Sequence, residues 1–323
     1  MKPLVLITRP VQRDAIHAVA EQCEVRTHDI DEAMPADLLR DAMRDVHAVM
    51  PCGVRVSGEA ITGAPQLRVI ANIGAGYDNI DLDACRRRRI LVTNTPDVLS
   101  EATADLAFAL LLAAARRVVE GDRYVREGRW TEWQWNFLWG AELHAATLGL
   151  YGCGRIGQAM ARRGRGFSMR VLYHTRHRLS AEVENSLGLE FVPFDTLLRE
   201  SDFLSVHVPL TPETRLSIGA PQLAVMKPTA FIINTARGGI LDEEAVVGAL
   251  RAGGIRGAGL DVFEHEPGVH PELIEMNNVV LLPHVGSATA ETRKKMAMLA
   301  AQNLLTALKG DRPQNLVNPD VWE

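Results

Sequence analysis

The sequence predicts an α/β protein with two doubly wound parallel sheets. Short runs of β-branched and other apolar residues alternate with stretches of helical periodicity, which is typical of parallel strands covered by helices on both faces. These runs fall into two series that a long helical segment separates, and 323 residues is a length that favours two domains. We therefore expect two domains of the same α/β class.

Each predicted strand is a short run rich in apolar residues. The first series comprises residues 3–8, 48–51, 68–72 and 90–93. The second series comprises residues 147–151, 170–173, 203–207, 230–234, 257–260 and 279–282. The intervals between consecutive runs leave room for the crossover helices that parallel strands require.

Two predicted helices stand apart from the crossover helices. Residues 100–127 predict one long helix with Ser100 as its N-cap, and Ala, Leu and Phe fill most positions between Ala102 and Ala115. A helix that is apolar all round, but much shorter than a bilayer requires, is most simply buried between two domains. The C-terminal helix over 290–308 is expected to close back onto one of the two domains.

Composition argues against several classes of protein. Lys and Arg total 35 against 40 Asp and Glu, and this net charge of −5 argues against nucleic-acid binding by bulk charge. The run from Arg86 to Arg89 is a local exception, which we interpret as a solvated helix end before a buried strand. The four cysteines form no C-x-x-C pair, so neither a zinc site nor a disulfide framework is expected.

No segment of the sequence predicts export or membrane insertion. The apolar stretch near the N-terminus is too short for the core of a signal peptide. The longest apolar run, residues 106–115, is far below the roughly 20 residues that span a bilayer. We therefore expect a cytoplasmic protein.

A glycine-rich turn opens the second series of strands. Gly152, Gly154 and Gly157 form the pattern G-x-G-x-x-G, which follows an apolar strand and begins a helical run. In that context the pattern predicts a Rossmann turn that binds the pyrophosphate of a dinucleotide. The first glycine permits the tight turn, the second lets the backbone approach the ligand, and the third allows close packing of helix and strand.

The helix after these glycines provides the second part of the predicted anion site. The amides of Arg155 and Ile156 would lie at its N-terminus, where partial positive charge favours an anion. Because the turn begins near residue 150, a complete domain must precede it. We expect a substrate-binding domain over residues 1–99, completed by 290–323, and a dinucleotide-binding domain over 100–289, with the active site in the cleft between them.

The end of the second strand of this domain predicts which dinucleotide binds. An NAD site places Asp or Glu about 20 residues after the glycines, where it accepts from the ribose 2′-hydroxyl. This chain has Thr175, Arg176 and Arg178 there. A hydroxyl and two guanidinium groups would bind the 2′-phosphate that a carboxylate repels. The sequence therefore predicts NADP(H) in preference to NAD(H), and the alternative is that both arginines are solvated surface residues.

Three polar residues follow strands of the second series, at the edge where open α/β sheets bind ligands. They are Arg237, Glu266 and His284. The guanidinium could grip the carboxylate of a 2-keto acid, and the imidazolium could donate a proton to the ketone oxygen as a hydride arrives. The carboxylate would orient the ring and favour its charged form. Each residue alone also fits a structural role, but the set predicts reduction of a 2-keto acid.

Four sequence blocks occur together in a fixed order. After the glycine-rich turn come M-K-P followed by N-T-A-R-G within residues 226–238, G-L-D-V-F-E-x-E-P at 259–267, and P-H-x-G-S at 283–287. With these blocks the chain resembles the D-isomer-specific 2-hydroxyacid dehydrogenase family over essentially its full length. The resemblance implies Arg237 as substrate anchor, His284 as acid/base and Glu266 as the partner of His284.

The resemblance also implies the remaining cofactor contacts. Asp261 would bind the nicotinamide carboxamide, with Thr235 and Ala236 near the cofactor. The further contacts that it implies are Thr103, His207, Pro209, Thr214 and Gly286.

Substrate contacts are implied in two further segments. Family members bind the substrate carboxylate through amides of a segment that matches Gly74-Ala75-Gly76, and a glycine-flanked loop can turn its N–H groups inward. Four of the five tryptophans lie between Trp130 and Trp139, a density that fits a core plug or, more readily, an interface. In similar dimeric reductases a matching tryptophan enters the partner's active site and limits substrate size, so the resemblance implies a homodimer with Trp133 of the partner subunit at the substrate.

Within the family, the chain most resembles the glyoxylate/hydroxypyruvate reductases and the 2-ketogluconate reductases. We expect an NADPH-dependent reductase of glyoxylate and hydroxypyruvate that forms D-2-hydroxy acids, with 2-ketogluconate reduction as the alternative. A third possibility from another class is a non-catalytic, dinucleotide-sensing co-regulator, because such relatives can keep all three catalytic residues. The lack of Pro/Ser-rich tails disfavours that partner-docking role.

Overall fold

The computed structural model describes residues 2–322, and the chain divides into two compact units. Unit 1 comprises Met1–Leu99 and Ser287–Glu323, and unit 2 comprises Ser100–Gly286. Each unit contains one sheet, and every strand pairing in both sheets is parallel. The predicted fold class, α/β with two parallel sheets, is therefore confirmed.

Unit 1 is built on a five-stranded sheet of order β2-β1-β3-β4-β5. Its strands are β1 (Leu4–Ile7), β2 (Glu24–Thr27), β3 (Ala48–Met50), β4 (Val69–Ala71) and β5 (Leu91–Thr93). Its helices are α1 (Arg13–Ala20), α2 (Ala36–Ala42), α3 (Gly58–Thr62), α4 (Leu82–Arg87) and α13 (Ala290–Leu308), with a final 3₁₀ turn at Pro319–Val321. This strand order reverses direction between β1 and β3, as in flavodoxin-like sheets.

The C-terminal segment completes unit 1. Helix α13 begins after Thr289, whose hydroxyl accepts the amide of Thr292, and it packs on α1 and on β3, β4 and β5. Beyond it, the buried Asn318 side chain accepts the Val92 amide at 2.8 Å and donates to the Ile90 carbonyl at 2.8 Å. The Asn318 side chain thereby covers part of the β5 edge, which would otherwise present unpaired backbone groups.

The four arginines from Arg86 to Arg89 form an exposed helix end before a buried strand, as the sequence predicts, except that Arg88 is half-buried. The Arg88 guanidinium donates to four carbonyl oxygens at and just beyond the C-terminal end of α3, those of Ile61, Thr62, Ala64 and Pro65, at 2.7 to 3.2 Å. Arg89 donates to the Val321 carbonyl at 3.2 Å, and Arg86 pairs with Asp83 and Asp320. Arg88 therefore stabilises the end of α3, since its charge satisfies carbonyl groups that the helix leaves unpaired.

Unit 2 is built on a seven-stranded sheet of order β12-β11-β10-β9-β6-β7-β8. Its strands are β6 (Thr147–Tyr151), β7 (Arg170–His174), β8 (Leu189–Phe191), β9 (Phe203–Val206), β10 (Phe231–Asn234), β11 (Gly257–Leu260) and β12 (Val279–Leu281). Its helices are α5 (Ser100–Ala115), α6 (Val118–Arg126), α7 (Arg155–Gly166), α8 (Ala181–Leu187), α9 (Phe194–Glu200), α10 (Ala220–Ala224), α11 (Glu243–Ala252) and α12 (Pro271–Glu275), with a 3₁₀ turn at Gly238–Ile240. The order is that of a doubly wound dinucleotide-binding sheet, with its switch point between β6 and β9.

The prediction of one helix over residues 100–127 is wrong. The helical segment breaks into α5 and α6 because Arg117 adopts left-handed backbone angles, with φ of 54°. Helix α5 begins at Ser100 itself, so this residue is the first of the helix rather than a cap before it. The apolar face of α5 packs on β10, β11, β12 and α7 within unit 2.

Two strands, β2 and β8, have no counterpart in the predicted series. Each lies at the edge of its sheet and is partly exposed, so neither carries the apolar run by which the inner strands are recognised. None of the helices formed by residues 2–322 combines the length and the apolar character that crossing a membrane requires.

Candidate active site

Most predicted cofactor and catalytic residues follow the carboxyl ends of parallel strands in unit 2. Because parallel strands share one direction, these segments meet at one edge of the sheet, where open α/β sheets bind ligands. The exception is Thr103, which lies on α5. A Cβ on Gly286 would lie 3.4 Å from Thr103 Cγ2, so Thr103 packs beside the segment that follows β12.

The glycine-rich turn between β6 and α7 depends on two close approaches. Gly152 has a φ of 94°, and a Cβ there would lie 2.6 Å from the carbonyl carbon of His207. A Cβ on Gly157 would lie 2.4 Å from the carbonyl oxygen of Gly152. Helix α7 begins at Arg155, so the amides of Arg155 and Ile156 lie in its first turn, as the sequence predicts.

Two features of this edge fit a dinucleotide. A Cβ on Gly154 would meet no atom within 4 Å, so the backbone before α7 faces open space that a pyrophosphate could occupy. The buried hydroxyl of Thr235, just after β10, has no hydrogen-bond partner within residues 2–322. An unpaired buried hydroxyl costs free energy, and a polar ligand beside it would offset that cost. Ala236 is held next to it, its amide donating to Asn234 Oδ1 at 3.0 Å.

The three residues predicted to bind a 2′-phosphate differ in their surroundings. Thr175 Oγ1 donates to the His177 carbonyl at 2.6 Å, which fixes the turn after β7. Arg178 forms a two-pronged ion pair with Glu184, at 2.8 and 2.9 Å. Arg176 is exposed, and its charge contributes to a lowered pKa of Glu213, behind the hydrogen bond of that carboxylate with Thr211. The three residues therefore lie on one turn, but Arg178 is already committed to a carboxylate.

Glu184 connects this turn to the buried face of β7. Its Oε1 accepts the hydroxyl of the buried Tyr173 at 2.5 Å, and the Tyr173 oxygen accepts the Leu179 amide at 3.0 Å. The hydrogen bonds from Arg178 and Tyr173 lower the pKa of Glu184 to about 2. Burial, together with the hydrogen bond to Glu184, raises the pKa of Tyr173 to about 12. Both groups therefore keep one protonation state at neutral pH, and the turn stays pinned to the sheet.

The segment after β9 carries three more predicted cofactor residues. Burial lowers the pKa of His207 to about 4, so this ring is neutral at physiological pH, and its Nε2 lies 2.9 Å from Ser205 Oγ. The Pro209 carbonyl accepts the hydroxyl of Thr214 at 2.6 Å. These contacts close a compact turn at the C-terminal edge of the sheet.

Arg237 is positioned by the turn after β10. Asn234 ends that strand, and its side-chain amide donates to the Arg237 carbonyl at 2.9 Å. A Cβ on Gly238 would lie 1.8 Å from the carbonyl carbon of Phe263, so only glycine lets this turn approach the segment after β11. The Arg237 guanidinium donates to the Ala236 carbonyl at 2.7 Å, and its charge acts on Glu266.

Glu266 and His284 form a direct pair. His284 Nδ1 lies 2.7 Å from Glu266 Oε2, while Glu266 Oε1 accepts the Phe263 amide at 3.0 Å. Burial acts to raise the pKa of Glu266, but the hydrogen bond and charge of His284, the Phe263 amide and the Arg237 charge together lower it below its usual value. The carboxylate is therefore ionised at neutral pH, and Nε2 of the ring is the nitrogen left to exchange a proton with a ligand.

The backbone of His284 is held by Asp261. His284 has a φ of 54°, an uncommon conformation for a residue with a side chain. The next two amides, of Val285 and Gly286, donate to the two carboxylate oxygens of Asp261, both at 2.7 Å. Asp261 is fully buried, and burial raises its pKa against the opposing effect of these amides. The family resemblance implies a cofactor contact for Asp261, and these hydrogen bonds add a structural role that the sequence did not reveal.

In unit 1, Gly74, Ala75 and Gly76 follow β4 in a loop whose carbonyl groups are all engaged. The Gly74 carbonyl accepts the Thr95 amide at 2.9 Å, and the carbonyls of Ala75 and Gly76 accept side-chain amides of Asn94 and Asn72, both at 2.7 Å. Within the part of the chain that the structure describes, no acceptor takes the amides of Gly74, Ala75 or Gly76. Three consecutive half-buried residues whose amides have no acceptor could bind an anion.

The tryptophan-rich stretch lies at the surface of unit 2. The side chains of Trp133 and Trp135 are each 73% exposed, and Trp130 and Trp139 are exposed as well. Helix α6 buries none of its residues and leaves Val118, Val119 and Val125 exposed. These exposures exclude the core plug that the sequence left open, and a large exposed apolar surface is typical of an interaction site.

Several residues that support the site carry little signal in the sequence. Glu243 on α11 accepts the Glu264 amide at 2.5 Å and so stabilises the loop that carries Glu266. Glu184 on α8 accepts the hydroxyl of Tyr173 on β7, a contact that forms only when the chain folds. Asn72, Asn94 and Asn234 were detectable in principle. Each follows or ends a strand at a turn, where Asn side chains commonly bond to backbone.

Comparisons with known proteins agree with this arrangement. Residues 108–286 match the family model described as D-isomer specific 2-hydroxyacid dehydrogenase, NAD binding domain. The chain is 48% identical to a glyoxylate reductase from Thermococcus litoralis, over 99% of this chain and 98% of the relative. The chain belongs to the D-isomer specific 2-hydroxyacid dehydrogenase family, and it is an enzyme of that family with a domain for a nicotinamide cofactor.

Solved structures give the same result. A glyoxylate reductase from Paecilomyes thermophila superposes with a TM-score of 0.88 at 34% identity, covering 99% of each chain. An NADPH-dependent glyoxylate/hydroxypyruvate reductase from Sinorhizobium meliloti, solved with NADP and malonate, superposes with a TM-score of 0.87 at 35% identity, covering 98% of this chain and 97% of the other.

Proposed function

We propose that this protein is an NADPH-dependent reductase that converts small 2-keto acids, glyoxylate and hydroxypyruvate first among them, into D-2-hydroxy acids. The observation that carries the proposal is the Glu266–His284 pair, which lies within the influence of the Arg237 charge at the ligand-binding edge of a dinucleotide-type sheet. The names of the relatives from Thermococcus litoralis and Sinorhizobium meliloti support this substrate class.

The catalytic roles follow from the chemistry of the three side chains. Arg237 would hold the substrate carboxylate and polarise the ketone through its guanidinium. His284 would donate the proton from Nε2 to the ketone oxygen, because its Nδ1 is turned to Glu266. Glu266 would orient the ring through Nδ1 and place its negative charge beside it. A bound reduced nicotinamide supplies the hydride.

Cofactor contacts are proposed for the residues gathered at the edge of unit 2. The turn 152–157 and the first amides of α7 would hold the pyrophosphate, and Thr235 would use its unpaired hydroxyl. Thr103, His207, Pro209, Thr214, Ala236, Asp261 and Gly286 would line the rest of the cofactor site. Unit 2 would therefore be the cofactor domain.

A preference for NADP(H) is proposed from the end of β7. The turn after that strand lacks the Asp or Glu that would accept from a ribose 2′-hydroxyl and repel a 2′-phosphate. Because Arg178 is paired with Glu184, Arg176 and Thr175 are the groups that we expect to contact the phosphate directly. Arg178 would act by holding the turn.

The substrate carboxylate would also bind unit 1. The amides of Gly74, Ala75 and Gly76 have no acceptor within residues 2–322 and belong to a half-buried loop. Such a group of free amides suits a carboxylate. Unit 1 would therefore be the substrate domain.

A homodimer is proposed from the exposed apolar surface of α6 and the tryptophan-rich stretch. A helix with no buried residue and three exposed valines gains stability when a second copy covers it. Trp133 of the partner subunit would then limit the size of the substrate.

The proposed function is tested by following NADPH oxidation with a panel of 2-keto acids. We expect the highest kcat/KM for glyoxylate and hydroxypyruvate, and a lower value for 2-ketogluconate. If kcat/KM for 2-ketogluconate exceeds the values for glyoxylate and hydroxypyruvate, the protein would instead be a 2-ketogluconate reductase. Binding of NADPH without turnover of any 2-keto acid would contradict the reductase and favour a dinucleotide-sensing co-regulator.

Cofactor choice is tested by the variant Arg176→Ala. Loss of a charge-assisted contact to the 2′-phosphate should raise the KM for NADPH by roughly 10- to 100-fold relative to the KM for NADH. The matched control is Arg199→Ala, which removes an exposed arginine from α9 of the same unit and should leave the ratio unchanged. A wild-type enzyme that favours NADH would contradict the preference.

The Glu266–His284 pair is tested by the pH dependence of Glu266→Gln. Ketone reduction requires the protonated ring, so the rate falls as pH rises. The ionised carboxylate of Glu266, with its lowered pKa, stabilises that proton, and an amide does not. The alkaline limb of kcat/KM should therefore move to lower pH in Glu266→Gln. The exposed Glu275→Gln is the control, and coincident profiles for wild type and Glu266→Gln would refute the pairing.

The dimer proposal is tested by analytical ultracentrifugation and by Trp133→Ala. We expect a dimer, and a variant whose kcat/KM for 2-ketogluconate rises relative to that for glyoxylate because a bulky side chain no longer limits the substrate. Trp130→Ala, at another exposed position of the same stretch, is the control. An unchanged ratio in Trp133→Ala would show that Trp133 does not line the substrate site.

A further inference from the structure

The strand order of the unit 1 sheet predicts a ligand-binding crevice beyond β1 and β3. In the order β2-β1-β3-β4-β5 the chain reverses direction between β1 and β3. Open α/β sheets bind ligands beyond the carboxyl ends of the strands at such a switch point. The segments that follow β1 and β3 begin with Thr8-Arg9 and Pro51-Cys52-Gly53, and the Cys52 amide donates to Thr8 Oγ1 at 3.0 Å.

Arg9 places a guanidinium in this crevice. Three of its guanidinium atoms lie 3.7 to 3.9 Å from the position that a Cβ on Gly53 would take, so the absence of a side chain there leaves room beside the charge. The Arg9 side chain is 27% exposed, and its buried Nε has no hydrogen-bond partner within residues 2–322. A buried guanidinium nitrogen without an acceptor is a group that an anionic ligand can satisfy.

The one carboxylate in an ion pair with Arg9, among the residues described, is easily displaced. Arg9 Nη1 lies 3.6 Å from Asp31 Oδ1, and the Asp31 side chain is 78% exposed. An exposed pair at this separation contributes little stability. A second cation, Arg293 of α13, also faces this segment, because its charge and that of Arg9 both lower the pKa of the Cys52 thiol, which burial raises more strongly. Two arginines and one exposed carboxylate leave the crevice net positive.

The crevice lies one strand away from the amides of Gly74–Gly76. The Ile73 amide donates to the Pro51 carbonyl at 2.9 Å, which keeps the ends of β3 and β4 adjacent, and adjacent strands are about 4.8 Å apart. Three or four C–C bonds of about 1.5 Å each separate the carboxyl carbons of a four- or five-carbon 2-keto dicarboxylate. A ligand of this size, held by its first carboxylate at Gly74–Gly76, would bring its far end to the Arg9 guanidinium.

We propose that Arg9 forms a second anion subsite, which binds the terminal anionic group of 2-keto acids that carry one beyond the keto carboxylate. This inference rests on the proposed binding of the first carboxylate by Gly74–Gly76. A terminal carboxylate and a terminal phosphate ester present the same chemistry to a guanidinium. The protein would then reduce short 2-keto acids that carry a second, terminal anionic group more efficiently than those of equal length without one.

The test compares substrates that differ only at the far end. 2-Oxoglutarate is measured against 2-oxopentanoate, and 3-phosphohydroxypyruvate against hydroxypyruvate, with glyoxylate as the reference. For the wild type we expect, in at least one pair, that kcat/KM for the substrate with the terminal anionic group exceeds kcat/KM for the substrate without it by about tenfold or more. The pair that shows the excess identifies the anion as carboxylate or phosphate.

Three variants then assign the excess to Arg9. The measured quantity is the ratio of kcat/KM with the terminal anionic group to kcat/KM without it. In Arg9→Met this ratio should fall to about one, and in Arg9→Lys it should be partly kept. In Asp31→Asn it should rise because a competing carboxylate is removed. Arg13→Met, which removes an exposed arginine of α1, is the matched control. If Arg9→Met does not fold, the opposite shifts of Arg9→Lys and Asp31→Asn still decide the assignment.

The outcomes separate this inference from the proposed function. No turnover of any 2-keto acid, glyoxylate included, would remove the reductase proposal. Turnover of glyoxylate with ratios near one in the wild type, or ratios that Arg9→Met leaves unchanged, would overturn the subsite while leaving the reductase intact.

Discussion

Asp261 accepts the amides of Val285 and Gly286 on its two carboxylate oxygens, and this buried interaction fixes the part of the sheet edge on which the Glu266–His284 pair depends. A left-handed backbone at a residue such as His284 costs free energy and persists only where its surroundings hold it. Charge-assisted hydrogen bonds from the next two amides to Asp261 hold this conformation, because such bonds are stronger than hydrogen bonds between neutral groups. The imidazole then faces Glu266, whose own loop begins directly after Asp261.

The same arrangement recurs at other strand ends, with amide side chains in place of the carboxylate. Asn234 bonds to the turn that carries Arg237, and Asn72 and Asn94 engage carbonyl groups of the loop 74–76. When side chains occupy the carbonyl groups of a loop, its amides remain for a ligand. This explains how a protein with a net charge of −5 can present sites for anions: the positive potential comes from oriented backbone dipoles and a few arginines.

The sequence predicts the inner strands well because they follow local rules. The strands at 147–151 and 257–260 and the helix at 290–308 match the structure to the residue, since buried runs and capped helices carry strong patterns. The edge strands β2 and β8 were missed because half-exposed strands lack such runs, and the break at Arg117 reflects one residue's backbone rather than a breaker in the sequence. The contacts of Glu184 and Glu243 join residues on different elements, 11 and 21 positions apart, so the periodicity of a single helix or strand could not reveal them.

The turn after β7 shows how such contacts change an interpretation that rests on residue type alone. By residue type, Arg176 and Arg178 would contribute equally to binding a phosphate. Arg178, however, pairs with Glu184, a carboxylate whose pKa of about 2 keeps it charged at any physiological pH. Left unpaired, that carboxylate would offset Arg176 in the potential near the turn. Paired with Arg178, it is neutralised locally and pinned by Tyr173, so the field that a 2′-phosphate would meet there would come from Arg176 on a turn of fixed shape. In the proposed preference for NADPH, Arg178 would therefore act through the charge that it cancels, because such a preference requires both an available cation and the absence of a competing anion.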